Sequence, residues 1–171
     1  QNAFRFQSSS EVRITDMQVD PEGNMFLTGY FRGTLYVETT SGIETYTVAG
    51  TRNFEDAFLI RIKQDFTVDW VYTYGGQFDD EIHSLQVDTA GAVYITGYFA
   101  DSIQFDKQST SPKESALYYD LFIAKYDKDG QFQWRYRTEI PFEDAPNFKN
   151  ITIARDPKAG NITVTGLYES F

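Results

Sequence analysis

An eighteen-residue stretch of this chain is echoed 68 residues later, with nine positions identical. Ile14-Thr-Asp-Met-Gln-Val-Asp20-Pro-Glu-Gly23-Asn-Met-Phe-Leu-Thr-Gly29-Tyr-Phe31 is matched by Ile82-His-Ser-Leu-Gln-Val-Asp88-Thr-Ala-Gly91-Ala-Val-Tyr-Ile-Thr-Gly97-Tyr-Phe99. A third copy runs Asp156-Pro-Lys-Ala-Gly160-Asn-Ile-Thr-Val-Thr-Gly166-Leu-Tyr. Its Asp156 lies 68 residues beyond Asp88, but Gly166 lies 69 beyond Gly97, so one residue is inserted in the turn near Ala159. A second unit repeats within the same period. Glu55-Asp56-Ala-Phe-Leu-Ile-Arg-Ile-Lys-Gln-Asp65, followed by Trp70, answers to Tyr119-Asp120-Leu-Phe-Ile-Ala-Lys-Tyr-Asp-Lys-Asp129, followed by Trp134, at a spacing of 64. The four-residue difference falls between Phe31 and Asp56 on one side and Phe99 and Asp120 on the other. Ala3-Phe-Arg-Phe6 aligns with Val71-Tyr-Thr-Tyr74, again at 68. Self-similarity at fixed spacing marks a repeat architecture, whose units bury their faces against neighbours.

Each repeat reads as strands. Val12, Ile14, Met17 and Val19 supply the apolar positions of a first strand, and the break in alternation after Ile14 predicts a bulge. Asp20-Pro-Glu-Gly23-Asn24 is turn chemistry, and Met25–Phe31 is the returning strand. Gly29 and Gly97 fall inside strands, where glycine marks a bulge or a close backbone approach. Residues 34–40 and 43–48 predict a further hairpin around Ser41-Gly42, and its counterpart, 102–106, leads into a polar run from Lys107 to Ser115 expected to be a long loop. Residues 57–62 and 68–74 form another strand pair, turning at Gln64-Asp65 and, in the next repeat, at Asp127-Lys-Asp129-Gly130. No window shows helical spacing. A four-stranded antiparallel unit repeated in tandem is a β-propeller blade. The expected fold is therefore all-β, about two and a half blades in an incomplete ring: repeat one about 2–69, repeat two about 70–137 and a partial repeat 138–171.

The runs Asp88–Phe99 and Asp120–Gly130, with Trp134 and Gly75-Gly76, resemble the repeat of the bacterial seven-bladed propeller family (SBBP-type repeats) over nearly the whole chain. Two departures stand out: Gln64-Asp65-Phe66 lacks the turn glycine, and Arg155 replaces the apolar residue before Asp156. The resemblance implies a secreted or cell-surface bacterial protein whose propeller displays loops or docks partners. Closed propellers have roughly four to eight blades. The expectation is a piece of a longer propeller, or a ring completed by another chain, because open outer blades would expose apolar faces and strand edges.

Composition narrows the function. The 15 Phe, 12 Tyr and 2 Trp suit pleated, half-buried surfaces. A formal net charge of −10 argues against nucleic acid and against anionic membrane surfaces. No apolar run is long enough to span a bilayer as a helix. With no cysteine there is neither a disulfide framework nor a thiolate metal site.

Several residue groups invite chemical readings. Asp127-x-Asp129-Gly130 resembles the opening of a calcium loop, but the further oxygen ligands and the late Glu are missing, which leaves a hairpin turn as the expectation. Asp79-Asp80-Glu81 is an acidic cluster beside Gly75-Gly76, with Glu143-Asp144 in the corresponding loop of the next repeat. Paired carboxylates suit acid/base or glycosidic chemistry or a cation such as calcium; the plainer reading is a solvated inter-blade loop. Asp79, Asp80, Asp127 and Asp129 are thus the weak metal candidates, and no cofactor is expected. Glu55-Asp56 and Asp120 recur before one strand as turn or edge residues that hydrogen-bond backbone. His83 is the only histidine and stands where repeat one has Thr15; a lone histidine is neither a metal site nor, without a nucleophile elbow, part of a triad. Trp70 and Trp134 recur at equivalent places, as blade-core residues would.

These readings favour a non-catalytic propeller segment that binds a protein or glycan partner, or further blades, through the loops at the blade ends, above all 33–54 and 100–118. An enzyme, a lyase or hydrolase with its site at the ring centre on other blades, is the alternative. A structural subunit that adds strands at open edges is a third.

Overall fold

The computed structural model describes residues 4–50, 53–107, 114–138, 149–156 and 158–167. All of its regular structure there is strand: β1 Phe6–Ser8, β2 Val12–Val19, β3 Met25–Phe31, β4 Thr34–Thr39, β5 Gly42–Thr47, β6 Asp56–Ile62, β7 Val68–Tyr74, β8 Glu81–Val87, β9 Val93–Ile103, β10 Glu114–Tyr126, β11 Phe132–Arg137, β12 Lys149–Arg155 and β13 Ile162–Leu167. Two four-stranded antiparallel sheets, β2-β3-β6-β7 and β8-β9-β10-β11, are the first two blades, and β12-β13 opens a third. The leading strands lie side by side, β8 packing on β2 and β12 on β8, so the blades share an inner edge. The fold is an arc of propeller blades, as the period predicts.

The Asp-Gly turns explain where the strands reverse. At β2–β3 the Asp20 carboxylate accepts the Glu22 and Asn24 amides, both at 2.9 Å, and Gly23 N donates to Asp20 O. Asp88 does the same for Ala90 and Ala92, and Asp127 for Asp129 and Gln131. In the third copy Asp156 N donates to Asn161 O, whereas Asp88 N donates to Ala92 O, so the inserted residue sits inside the turn. The bulges also recur. The β2–β3 register shifts between Ile14 and Asp16, and the β8–β9 register between Ile82 and Ser84. Opposite them, a Cβ on Gly29 or Gly97 would overlap the carbonyl oxygen of Arg13 or Glu81, so only glycine fits.

Blade one buries Phe26, Leu59 and Tyr74 against Ile82, Leu85, Ile95, Phe99, Phe122 and Tyr126 of blade two. The opposite face of blade one carries Leu27, Phe31, Phe58 and Ile60, covered by Leu35 and Val37 of β4 and by Phe4 and Phe6. Phe6 packs 5.9 Å from Phe58, much as Tyr74, its counterpart 68 residues on, packs 6.4 Å from Phe105. The N-terminal echo therefore has a structural basis, although its strand starts at Phe6 and pairs with β4. The β4–β5 hairpin and β1 form a separate three-stranded sheet. In blade two, β9 instead runs on to Ile103 and pairs with Glu114 and Ser115, so the polar run is a shorter link than expected, with 108–113 outside the described residues.

Trp70 packs on Tyr72 and Phe26 at the blade boundary. Trp134 packs in the same way on Tyr94, the counterpart of Phe26, with ring centroids 6.2 Å apart against 6.1 Å, and is 39% exposed on β11. Arg155 stacks over Tyr94, 5.8 Å from its ring, and lies 4.0 Å from Asp88, which accounts for a cation at a position that is apolar elsewhere.

Candidate functional site

The Asp-Gly turns occupy one end of the blades. At the other end, where β3 finishes and β6 and β8 begin, the chain gathers ionisable groups from both blades. Glu55 precedes β6, Asp79 and Asp80 lie in the β7–β8 link, Glu81 opens β8, and His83 is the bulged residue of that strand.

Asp80 is fully buried and its carboxylate accepts Gly76 N at 2.8 Å and Ala100 N at 3.1 Å. Its own amide donates to Glu55 O at 2.8 Å, and Glu55 N donates to Asp79 Oδ1 at 3.0 Å. The acidic run is therefore a set of backbone clasps rather than the solvated loop expected from its charge. Asp56 accepts the Ala49 amide at 2.9 Å, which bears out the backbone-bonding role for that position. Arg137 lies 3.6 Å from Asp120. Asp127 is consumed as a turn cap, and Asp129 is paired with Lys128 at 2.9 Å. Among the described residues no three His, Asp or Glu groups converge in a metal-holding arrangement. Glu143 and Asp144 lie outside the described residues.

Glu55 and Glu81 come from either side of the blade boundary. Arg32 approaches Glu55 at 2.7 Å. Tyr98 donates its hydroxyl to Glu81 at 2.5 Å, and His83 Nε2 lies 3.3 Å from Glu81. Burial, then the neighbouring Glu81, pushes the Glu55 carboxyl up to about 7. Burial raises Glu81 and Asp80 as well, and burial lowers His83, keeping its imidazole neutral. Tyr98 is held un-ionised by burial and by the Glu81 charge. Chemically the site gathers two carboxyl groups, a phenol, a neutral imidazole and a guanidinium.

Sequence reading found Glu55, Asp79, Asp80, Glu81 and His83 separately and missed Arg32, Tyr98 and Tyr30. The signal was the repeat itself, read for its exceptions. Arg13 and Tyr30 are cross-strand partners in blade one, as Glu81 and Tyr98 are in blade two. Position by position, Arg13 is replaced by Glu81, Thr15 by His83, and Glu55 by Tyr119. The cluster assembles where the two blades differ.

A second feature is an open groove of about 280 Å³ lined by Arg5, Phe6, Gln7, Tyr36, Glu38 and Ile43, on the outer face of the β1-β4-β5 sheet. Ile43 is 70% exposed there, and β5 pairs with β4 alone.

No family model matches the chain. Over 174 residues it is 27% identical to an uncharacterized WD repeat-containing protein, L264, of Acanthamoeba polyphaga mimivirus. That match takes in 87% of this chain but only 12% of the relative's length. With the blade-like sheets, it makes the chain a propeller-type repeat module.

Proposed function

We propose that this chain is a non-catalytic propeller segment that docks a protein partner on its β1-β4-β5 sheet. The carrying observation is the β4–β5 hairpin. The blades repeat in turns, bulges and core, yet among the described residues only blade one carries this hairpin, and it presents exposed Ile43 on an edge strand beside the Tyr36 groove. An edge strand with an apolar side chain suits an extended peptide, which adds backbone hydrogen bonds along β5 and seats a side chain in the groove. Residues that differ between otherwise equal repeats are where recognition is grafted onto a shared scaffold.

The buried carboxylates of Asp56 and Asp80 serve as backbone clasps, which supports a non-catalytic reading. A secreted or cell-surface bacterial setting rests on the resemblance of Asp88–Phe99 and Asp120–Gly130 to the bacterial seven-bladed repeats.

Site-specific photo-crosslinking from position 43 in the source cell tests the proposal. A discrete protein adduct, lost in an Ile43→Asp, Tyr36→Ala double variant that melts like the parent, is the expected result. Crosslinking unaffected by those changes, or adducts to glycan alone, overturns it.

A further inference from the structure

We infer that the free edge of β2 docks the inner strand of a further blade of the same polypeptide, one that presents a hydroxyl residue and, two positions on, a glutamine. Ile14, Met17 and Val19 of β2 are each more than half exposed. Their counterparts 68 residues on are Ile82 and Leu85, both fully buried, and Val87, which packs on the core of the blade boundary. What covers that second set is blade one, whose β2 lies against β8. Three large apolar side chains on one open strand mark a face that another segment covers.

The seam between β2 and β8 shows what such a cover must offer. Both strands are sheet edges, and they meet through side chains reaching for backbone rather than through a ladder. Thr15 donates its hydroxyl to Ile82 O, and Asp16 Oδ2 accepts Ser84 Oγ and Leu85 N, both at 2.9 Å. Gln18 donates to Leu85 O at 2.9 Å and accepts Val87 N at 3.0 Å. The β2–β3 and β8–β9 registers match pair for pair: Met17 faces Leu27 as Leu85 faces Ile95, and Val19 faces Met25 as Val87 faces Val93. Met17 O and Val19 N therefore point out of the β2 edge as Leu85 O and Val87 N point out of β8. A carboxamide, which both donates and accepts, brackets the pair as Gln18 does one blade on.

Asp16 sets the other requirement. Across the present seam position 16 faces position 84, so an arriving inner strand brings its own equivalent position against Asp16. A second carboxylate there would repel, whereas a hydroxyl donates. No acid is needed, because the Met17 amide is already held by Asp16 Oδ1 at 2.8 Å, while its counterpart, Leu85 N, depends on the neighbouring blade. The required pattern is hydroxyl, apolar, glutamine, and blade two carries it at Ser84-Leu85-Gln86.

The source follows from which inner strands are free. β2 and β8 are already packed on β8 and β12 in turn. A second copy of this chain is left with β12 to offer, whose Thr152 and Ala154 are exposed. That strand has the hydroxyl but alanine where the glutamine is required, so it leaves Met17 O and Val19 N without a bracket. A blade beyond these is the occupant. In the mimivirus relative the matched stretch is 12% of the length, so there a module of this kind sits within a far longer chain.

The test compares the 171-residue chain with the protein purified from its source. In the chain alone the Val19 amide should exchange with deuterium about tenfold faster than the Val87 amide, the effect of one shielded hydrogen bond, and Gln18→Ala should bring Val87 up to the Val19 rate. In the source protein the parent's two amides should exchange alike. A photoreactive amino acid at position 17 of the source protein should crosslink within the same polypeptide, with no gain in mass on a denaturing gel, to a strand reading Ser or Thr, any residue, Gln. A crosslink to a second copy, to another protein, to lipid or to glycan overturns the docking of a blade, as does no crosslink at all. A Val19 amide that exchanges no slower in the source protein overturns it too. The crosslink decides even if Gln18→Ala fails to fold.

Discussion

Phe66 and Gly130 close the same turn in successive blades, and both hold a left-handed backbone, with φ of 69° and 81°. Phe66 N donates to Lys63 O as Gly130 N donates to Asp127 O, so the turn geometry is kept although its glycine is gone. A side chain with a Cβ is strained in that region by about 1–2 kcal/mol, which the fold of blade one tolerates. Phe66 is 42% exposed, so little packing is lost on removing it. Phe66→Gly should therefore stabilise the chain by about 1 kcal/mol, after allowing for the extra freedom of glycine in the unfolded state. Urea unfolding reads this as a higher midpoint at unchanged slope. A lower midpoint would show that the ring, not the backbone, dominates at this turn.

Asp16 joins the inner strands of the two blades. Its Oδ2 accepts the Ser84 hydroxyl and the Leu85 amide, both at 2.9 Å, while Gln18 brackets the same strand by donating to Leu85 O and accepting from Val87 N. Leu85 is fully buried, so removing the acceptor leaves its amide without a partner. Asp16→Ala should cost about 1–3 kcal/mol, and Asp16→Asn, which keeps an oxygen in place, about 1 kcal/mol or less. Denaturant melts of the pair provide the check; equal losses would mean that the charge, not the acceptor, matters.

The fold was largely legible because what repeats is backbone logic: a turn Asp, a glycine opposite a bulge, alternating apolar residues. Ile14 and Met17 announced the bulge through broken alternation, and the structure places it there. What escaped was contact across the blade boundary. Nothing local to Asp80 says that its carboxylate clasps Gly76 and Ala100, since the chain must first fold back through a whole hairpin. Trp134 copies the contact of Trp70, meeting Tyr94 where Trp70 meets Phe26, but how far each ring is covered depends on the neighbouring blade rather than on register. Asp101 hides another such echo, taking φ 63° where Gly33 takes 74°, one period earlier.

The glycines opposite the bulges offer a graded test. Gly97 faces the Glu81 carbonyl so closely that an added methyl overlaps backbone, and backbone there is fixed by the β8–β9 ladder. Gly166, the third copy, would place its Cβ 3.2 Å from Ile151 Cγ1, a side-chain atom with room to move. Gly97→Ala should destabilise by about 3 kcal/mol and Gly166→Ala by under about 1 kcal/mol. Thermal denaturation of both variants measures the contrast. Similar losses would mean that the third hairpin is packed as tightly as the second.

Asp80 gives the last prediction, and it separates a structural carboxylate from a chemical one. The side chain is fully buried, and its two oxygens satisfy the amides of Gly76 and Ala100, themselves buried in the link and in β9. Asp80→Ala removes both acceptors at once, so two amides are left in the interior without partners. Each such orphan costs about 1–3 kcal/mol, which puts the variant about 2–5 kcal/mol below the parent. Amide exchange at Gly76 and Ala100 should accelerate together, while exchange at the far turns, such as Gly23 and Gly91, changes only as much as global stability requires. A variant that loses less than about 1 kcal/mol would mean that water enters the link and replaces the carboxylate, and the acidic run would then be the wet loop its charge first suggested.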